Sequence, residues 1–125
     1  AIQKYLKKNN HEILTTKENY SCDIESISED GTLCFSEAEI KFSWIEEWPE
    51  VWEDVRIPYR KQKLLEKIEK DLTFYVLRAD CEEAWAIPDT VMKEHATVVE
   101  VPNRYVPKGE KFFSIPVSRI HIITI

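Results

Sequence analysis

The tripeptide Glu29-Asp30-Gly31 constrains this chain more than any other stretch. It is a hairpin signal, because glycine readily supplies the positive φ that tight turns demand. The runs on either side of it alternate. Residues 20–27 read YSCDIESI and residues 32–44 read TLCFSEAEIKFSW. Alternation with a period of two marks a strand, so the two runs are expected to pair antiparallel. Residues 11–16 (HEILTT) add a third strand ahead of them, across a turn at Lys17-Glu18-Asn19. The three together make a meander.

Helical spacing brackets that meander. Ile2, Tyr5 and Leu6 recur on one side with lysines on the other, which predicts a helix over residues 1–9, stopped by Asn9-Asn10. Residues 45–56 hold tryptophan, acid and Pro49 and read as a loop packed by its indoles. Pro58 suits the first turn of a helix, and Leu64, Leu65 and Ile68 continue at helical spacing, predicting a helix over 58–70. Residues 72–78 (LTFYVLR) read as a central strand, with residues 83–87 (EAWAI) as its hairpin partner. Asp89 is expected to N-cap a short helix ending near Glu94. Residues 98–101 and 118–125 are further strands, and 102–110 a loop. The expectation is a single α+β domain over residues 1–125, a central mixed sheet flanked by helices, with a β-rich C-terminal extension.

Composition narrows the classes. A chain of 125 residues suits one domain, and 43% hydrophobic with 32% charged residues is a globular mix, not a disordered one. No apolar run approaches the roughly 18 residues of a membrane span, and no secretory n-region and h-region open the chain. Three cysteines, Cys22, Cys34 and Cys81, without C-x-x-C spacing, fit reduced thiols in a cytoplasmic protein. Net charge is −6, but it is unevenly spread. Residues 18–54 hold twelve acids against Lys41 alone, whereas residues 56–70 hold six bases against Glu66 and Glu69. One block attracts cations. The other, with a second basic patch at Lys4, Lys7 and Lys8, attracts phosphates.

Within the returning strand, Glu37, Glu39 and Lys41 share one face. Such a row is either a solvated, self-compensating ion face or a metal site with a lysine beside it. Asp23 lies eight residues before Gly31 and Glu39 eight residues after it, so the two carboxylates are expected near one another across the hairpin. Opposed carboxylates repel, unless a hard divalent cation sits between them. Lys41 is then close enough to steady charge on a reacting phosphate.

D-x15-E-x-K on the second and third strands, after one short helix and ahead of another, resembles the PD-(D/E)xK nuclease superfamily, the restriction-endonuclease-like fold. "RIPYRKQKLL" is similar to the helix that follows this signature in phage and bacterial members. The resemblance covers residues 1–87 and implies an αβββαβ core. It implies that Asp23 and Glu39 ligate Mg²⁺ or Mn²⁺, joined by the carbonyl of Ile40, and that Asp23, Glu39 and Lys41 form the catalytic set. It further implies that Arg60, Lys61 or Lys63 faces DNA phosphates. Many members carry a glutamate on the first helix; residues 1–10 contain no acid, and the number of metals stays open.

The expected function is therefore Mg²⁺-dependent hydrolysis of DNA, endonuclease or resolvase-like, with DNA as partner, no membrane, and room for a homodimer. The alternative is a nuclease fold without activity, serving as a binding module or an assembly protein. Glu37 either contributes to the site or is an exposed carboxylate, and Glu25 faces solvent. His11 reads as structural with a functional role left open, and His95 and His121 have no identifiable partner. Cys22 reads as a buried strand residue. Trp44, Trp48, Trp52 and Trp85 read as packing, with stacking on bases open to Trp48 or Trp52.

Overall fold

A computed structural model describes residues 2–14, 24–41, 44, 54–68, 71–101 and 110–125. Asp23, Cys22, Trp48 and Trp52, the turn at Lys17-Glu18-Asn19 and most of the two expected loops lie outside the described residues.

The first helix, α1 (Ile2–Lys8), buries Ile2 and Leu6, one turn apart, and turns its lysines to solvent. It stops at Asn10, whose φ of 64° is tolerated by asparagine better than by most residues. Three strands follow: β1 (Glu12–Ile13), β2 (Ile24–Ile27) and β3 (Leu33–Lys41). The β2–β3 hairpin pairs Ile27 with Leu33 and Ile24 with Ser36, so its axis passes through Asp30 and not Gly31. The cause is turn type. Ser28 and Thr32 close the turn through Ser28 N–H to Thr32 C=O, leaving a three-residue loop with Gly31 last, at φ 86°. The Asp30 carboxylate ties the loop by accepting from the Ser28 hydroxyl and, at 3.0 Å, from Thr32 N–H.

Next come β4 (Asp54–Pro58), a 3-10 turn (Tyr59–Lys61) and α2 (Gln62–Lys67). Two expectations change here. The end of the supposed loop is a strand, and Pro58 closes that strand instead of opening the helix. The helix stops at Lys67 because Ile68 turns extended (φ −105°, ψ 101°) to bury its side chain. β5 (Leu72–Arg78) and β6 (Glu83–Pro88) form the expected hairpin. In α3 (Asp89–His95), Pro88 occupies the cap position and Asp89 is the first helical residue, paired with Lys93 at 3.6 Å, so it does not N-cap. β7 (Thr97–Val101), β8 (Glu110–Pro116), a 3-10 turn (Val117–Arg119) and β9 (His121–Thr124) complete the described chain. β8 was not expected from the sequence.

The fold is α+β. Six strands form a mixed sheet in the order β1-β2-β3-β5-β6-β9, antiparallel throughout except for the parallel pair β3–β5. The crossover between those two carries β4, the 3-10 turn and α2. The C-terminal β-rich part divides: β7 and β8 join β4 in a second, antiparallel sheet, and β9 becomes an edge of the first.

β5 is buried on both faces, as a central strand should be. On one face Leu72, Phe74 and Val76 meet Val55, Ile57, Phe113 and Ile115 of the second sheet, with Leu65, Ile68 and Met92 beside them. Trp44 and Trp85 pack there too, their rings 5.8 Å apart. On the other face Tyr75 and Leu77 meet Ile2 and Leu6 of α1. Cys34 and Cys81 are free thiols. Among the described residues no helix is long and apolar enough to cross a membrane.

Candidate functional site

Alternation along β3 sends Ser36, Ala38 and Ile40 to the α1 side and Glu37, Glu39 and Lys41 to the other. The parallel register sets Glu37 beside Phe74, Glu39 beside Val76 and Lys41 beside Arg78. Phe74 and Val76 belong to the main core. The acidic row therefore starts at the core's margin and climbs out of it. Glu37 is 8% exposed, while Glu39 is open to solvent.

The second sheet supplies the opposite wall. Ile57 of β4 is buried, and Pro58 ends the ladder, so the chain swings into the 3-10 turn that carries Arg60 and Lys61. From that turn Lys61 Nζ donates to Glu37 Oε1 at 2.6 Å. Their side chains are 24% and 10% exposed. Glu37, Glu39, Arg60 and Lys61 line one cavity of about 180 Å³, floored by Phe74 and Val76. Tyr75 also borders it, but its ring packs on the α1 side, 6.1 Å from that of Tyr5, where burial pushes the hydroxyl up to about 12.

The structure thus brings Glu39, Arg60 and Lys61 together. Lys41 lies on the face of Glu39, two residues further on and half-buried. Neither Lys41 nor Lys63 lines the cavity, and Lys63 is exposed on α2. The Ile40 side chain borders a different hollow, with Ile2, Ile24 and Leu77. Asp23 lies outside the described residues, and the described β2–β3 ladder ends at Ile24 opposite Ser36, short of Glu37.

Two carboxylates on one face are oxygen donors of the kind hard divalent cations take, with no thiolate or imidazole to favour a softer ion. Of the two expected carboxylate ligands only Glu39 is described, and its oxygens are of the kind that Mg²⁺ or Mn²⁺ takes. Among the described residues, no three His, Cys, Asp or Glu side chains converge as a metal cluster. The Glu37–Lys61 pair escaped the sequence reading. The available signal was that Glu37 shares the face of Glu39; its partner is 24 residues away and follows no local pattern.

Elsewhere the candidates are structural. His11 Nδ1 lies 3.0 Å from the hydroxyl of fully buried Ser26. His95 lies 3.8 Å from Glu94, and His121 is exposed on β9. Glu25 is half-buried rather than open to solvent. Comparison with protein-family models, with curated proteins and with solved structures finds no match.

Proposed function

We propose that this chain is a metal-dependent deoxyribonuclease of the PD-(D/E)xK kind. The observation that carries the reading is the convergence of Glu39, Arg60 and Lys61 on one cavity, since Glu39 comes from β3 and the two bases from the 3-10 turn that leads into α2. Element order is compatible with it once β4, which belongs to the second sheet, and the 3-10 turn are set aside: a helix, three antiparallel strands, then a helix and a strand parallel to the third.

In this reading Asp23 and Glu39, with the Ile40 carbonyl, hold Mg²⁺ or Mn²⁺, which when bound polarises the phosphate and lowers the pKa of a water. Lys41 directs its ammonium at charge developing on the reacting phosphate. Arg60 and Lys61 hold neighbouring phosphates and fix the strand's position without reading its bases. Attraction is local, because the chain as a whole is negative.

The test is cleavage of plasmid and linear duplex with Mg²⁺ or EDTA. Lys41→Ala should slow cleavage by about 10²–10³-fold, the effect of removing one charge-stabilising group, while keeping metal-induced stabilisation. Asp23→Asn should lose that stabilisation. Lys41→Ala cutting at the wild-type rate overturns the assignment.

A second reading, a nuclease fold that binds DNA without cutting it, is favoured by one observation. α1 has no acid in its first turn and two lysines in its last, so the first helix offers no carboxylate to a metal. Ca²⁺-dependent DNA binding with no cleavage under Mg²⁺ or Mn²⁺ would select it.

A further inference from the structure

We propose that the hollow where α1 meets β3 and β5 binds a small alkylammonium ion, with the Asp71 carboxylate as its counter-charge. The hollow lies across the six-stranded sheet from the charged row of β3, and the proposal does not depend on the nuclease reading.

Alternation sends Cys34 and Ser36 of β3, and Thr73 and Tyr75 of β5, to the α1 side. There they line a hollow of about 310 Å³, closed by Tyr5 and Leu6 of the helix. Its floor is polar and buried. Ser36 is 2% exposed and Tyr75 7%. Ser36 sits beside Thr73 in the parallel ladder, and both hydroxyls bond the hydroxyl of Tyr75. The floor groups thus satisfy one another. His11, on the rim, is held by Ser26.

Asp71 is different. It enters β5 at φ 59°, fixed by Phe35 N–H, which donates to its carbonyl at 2.8 Å. It is half-buried and lines the hollow. Its charge is felt inside: burial, and after it Asp71, push the Cys34 thiol up. Cys34 therefore stays neutral there and adds no second anion. Among the described residues Asp71 takes part in no ion pair, and neither lysine nor arginine lines the hollow. A partly desolvated carboxylate is stabilised by a cation brought to it.

The walls select which cation. One carboxylate among neutral hydroxyls matches a single positive charge and repels phosphates and carboxylates. Leu6 and Phe35 offer apolar surface to an alkyl chain. The rings of Tyr5 and Tyr75, 6.1 Å apart, suit an ammonium head, which aromatic rings attract. A ligand in this place touches the helix and two strands at once, so occupancy should stabilise the fold.

Butylamine, 1-butanol and butyrate are the probes, one chain length with positive, neutral and negative heads. Each is titrated at fixed ionic strength into ¹⁵N-labelled protein, with amide shifts and melting temperature as readouts. Butylamine should shift the amides of Asn9, Phe35, Asp71 and Thr73 and raise the melting temperature. Butanol should bind about tenfold more weakly, since charge-assisted hydrogen bonds are the strong ones, and butyrate not at all. Asp71→Asn keeps a residue that tolerates positive φ and should weaken butylamine about tenfold. Glu66→Gln, exposed on α2, removes one charge elsewhere and should leave binding unchanged. Tyr5→Leu should weaken butylamine while leaving butanol little affected. The contrast among the three probes needs no variant, so it decides even where a variant fails to fold. Equal binding of butylamine and butanol, shifts centred away from the hollow or absent, or an Asp71→Asn protein that binds butylamine like wild type would each overturn the proposal.

Discussion

β3 and β5 run parallel and in register from Phe35 beside Leu72 to Lys41 beside Arg78, yet they present opposite kinds of side chain to the same face. β5 gives Leu72, Phe74 and Val76 to the main core and Tyr75 and Leu77 to the α1 side. β3 gives Glu37, Glu39 and Lys41 to the first of those faces and Ser36, Ala38 and Ile40 to the second. Both strands share one backbone ladder, so the difference lies in side chains alone. β5 holds the sheet between two layers. β3 leans on that support and uses its own face for charge, at the edge of the core where a carboxylate is half sheltered and half available.

The comparison can be broken at β5 first. Phe74→Ala removes a ring that is 3% exposed, and such truncations cost about 3–5 kcal/mol. Glu39→Gln, in the neighbouring strand and exposed, should change stability by under about 0.5 kcal/mol, and on the proposed nuclease reading should abolish cation-induced stabilisation. Urea unfolding of both variants checks this. A destabilisation by Glu39→Gln as large as that by Phe74→Ala would mean that the two strands do not divide the work in this way.

At Glu37 the two roles meet, and a smaller effect is expected. Lys61→Ala leaves a nearly buried carboxylate without its 2.6 Å ammonium. Breaking a fully buried pair costs about 3–5 kcal/mol; with Lys61 partly exposed, about 1–3 kcal/mol is expected from urea melts. Replacing both residues, Glu37→Leu with Lys61→Leu, extends the apolar character of β5 across the cavity. Such exchanges are often neutral or stabilising by about 1–4 kcal/mol. The double variant should unfold at or above the wild-type urea midpoint and bind DNA more weakly. A double variant less stable than Lys61→Ala would show that the pair is needed for packing.

What could be read in the sequence divides along similar lines. α1, the β2–β3 hairpin and the β5–β6 hairpin follow from patterns a few residues long: helical spacing of Ile2 and Leu6, alternation around a turn, a nearly continuous apolar run. β4 and β8 do not. Each finds its partner far along the chain, Asp54 opposite Pro116 and Ile57 opposite Phe113, and each ends in a proline that reads locally as a break. The site shows the same split. Glu39 and Lys41 could be placed on one face from periodicity alone, and Lys61 could be suspected from its basic neighbourhood. That Lys61 reaches back to Glu37 depends on the crossover through β4, which no local pattern reveals. The hairpin register was off by a small, physical margin, because a three-residue loop centres on Asp30 whereas a turn centred on Gly31 would pair Ile24 two residues further along β3.

That loop offers the finest test, since it decides which face of β3 carries the charges. A one-residue slip would turn Glu37, Glu39 and Lys41 to the α1 side and Ser36 and Ala38 toward the cavity. Asp30 guards against it. Hydrogen bonds from the Ser28 hydroxyl and from Thr32 hold its carboxyl down to about 2, below the ordinary 3.8. A carboxyl depressed in the folded state contributes stability that is fully present above its unfolded pKa and is lost as pH falls through the folded one. For Asp30 the window runs from about 4 down to about 2. The group is fully exposed, so the increment is small and is best read as a difference. Urea midpoints of wild type and Asp30→Asn should differ in favour of wild type at pH 5. The gap should close as pH falls to 2, where the carboxyl protonates and no longer accepts as an anion. Other carboxylates titrate over the same range but do so in both proteins, and their effects cancel in the comparison. A gap unchanged between pH 5 and pH 2 would show that the loop is held by its backbone bonds and Gly31 without help from the Asp30 charge, and that the register of β3 does not depend on it.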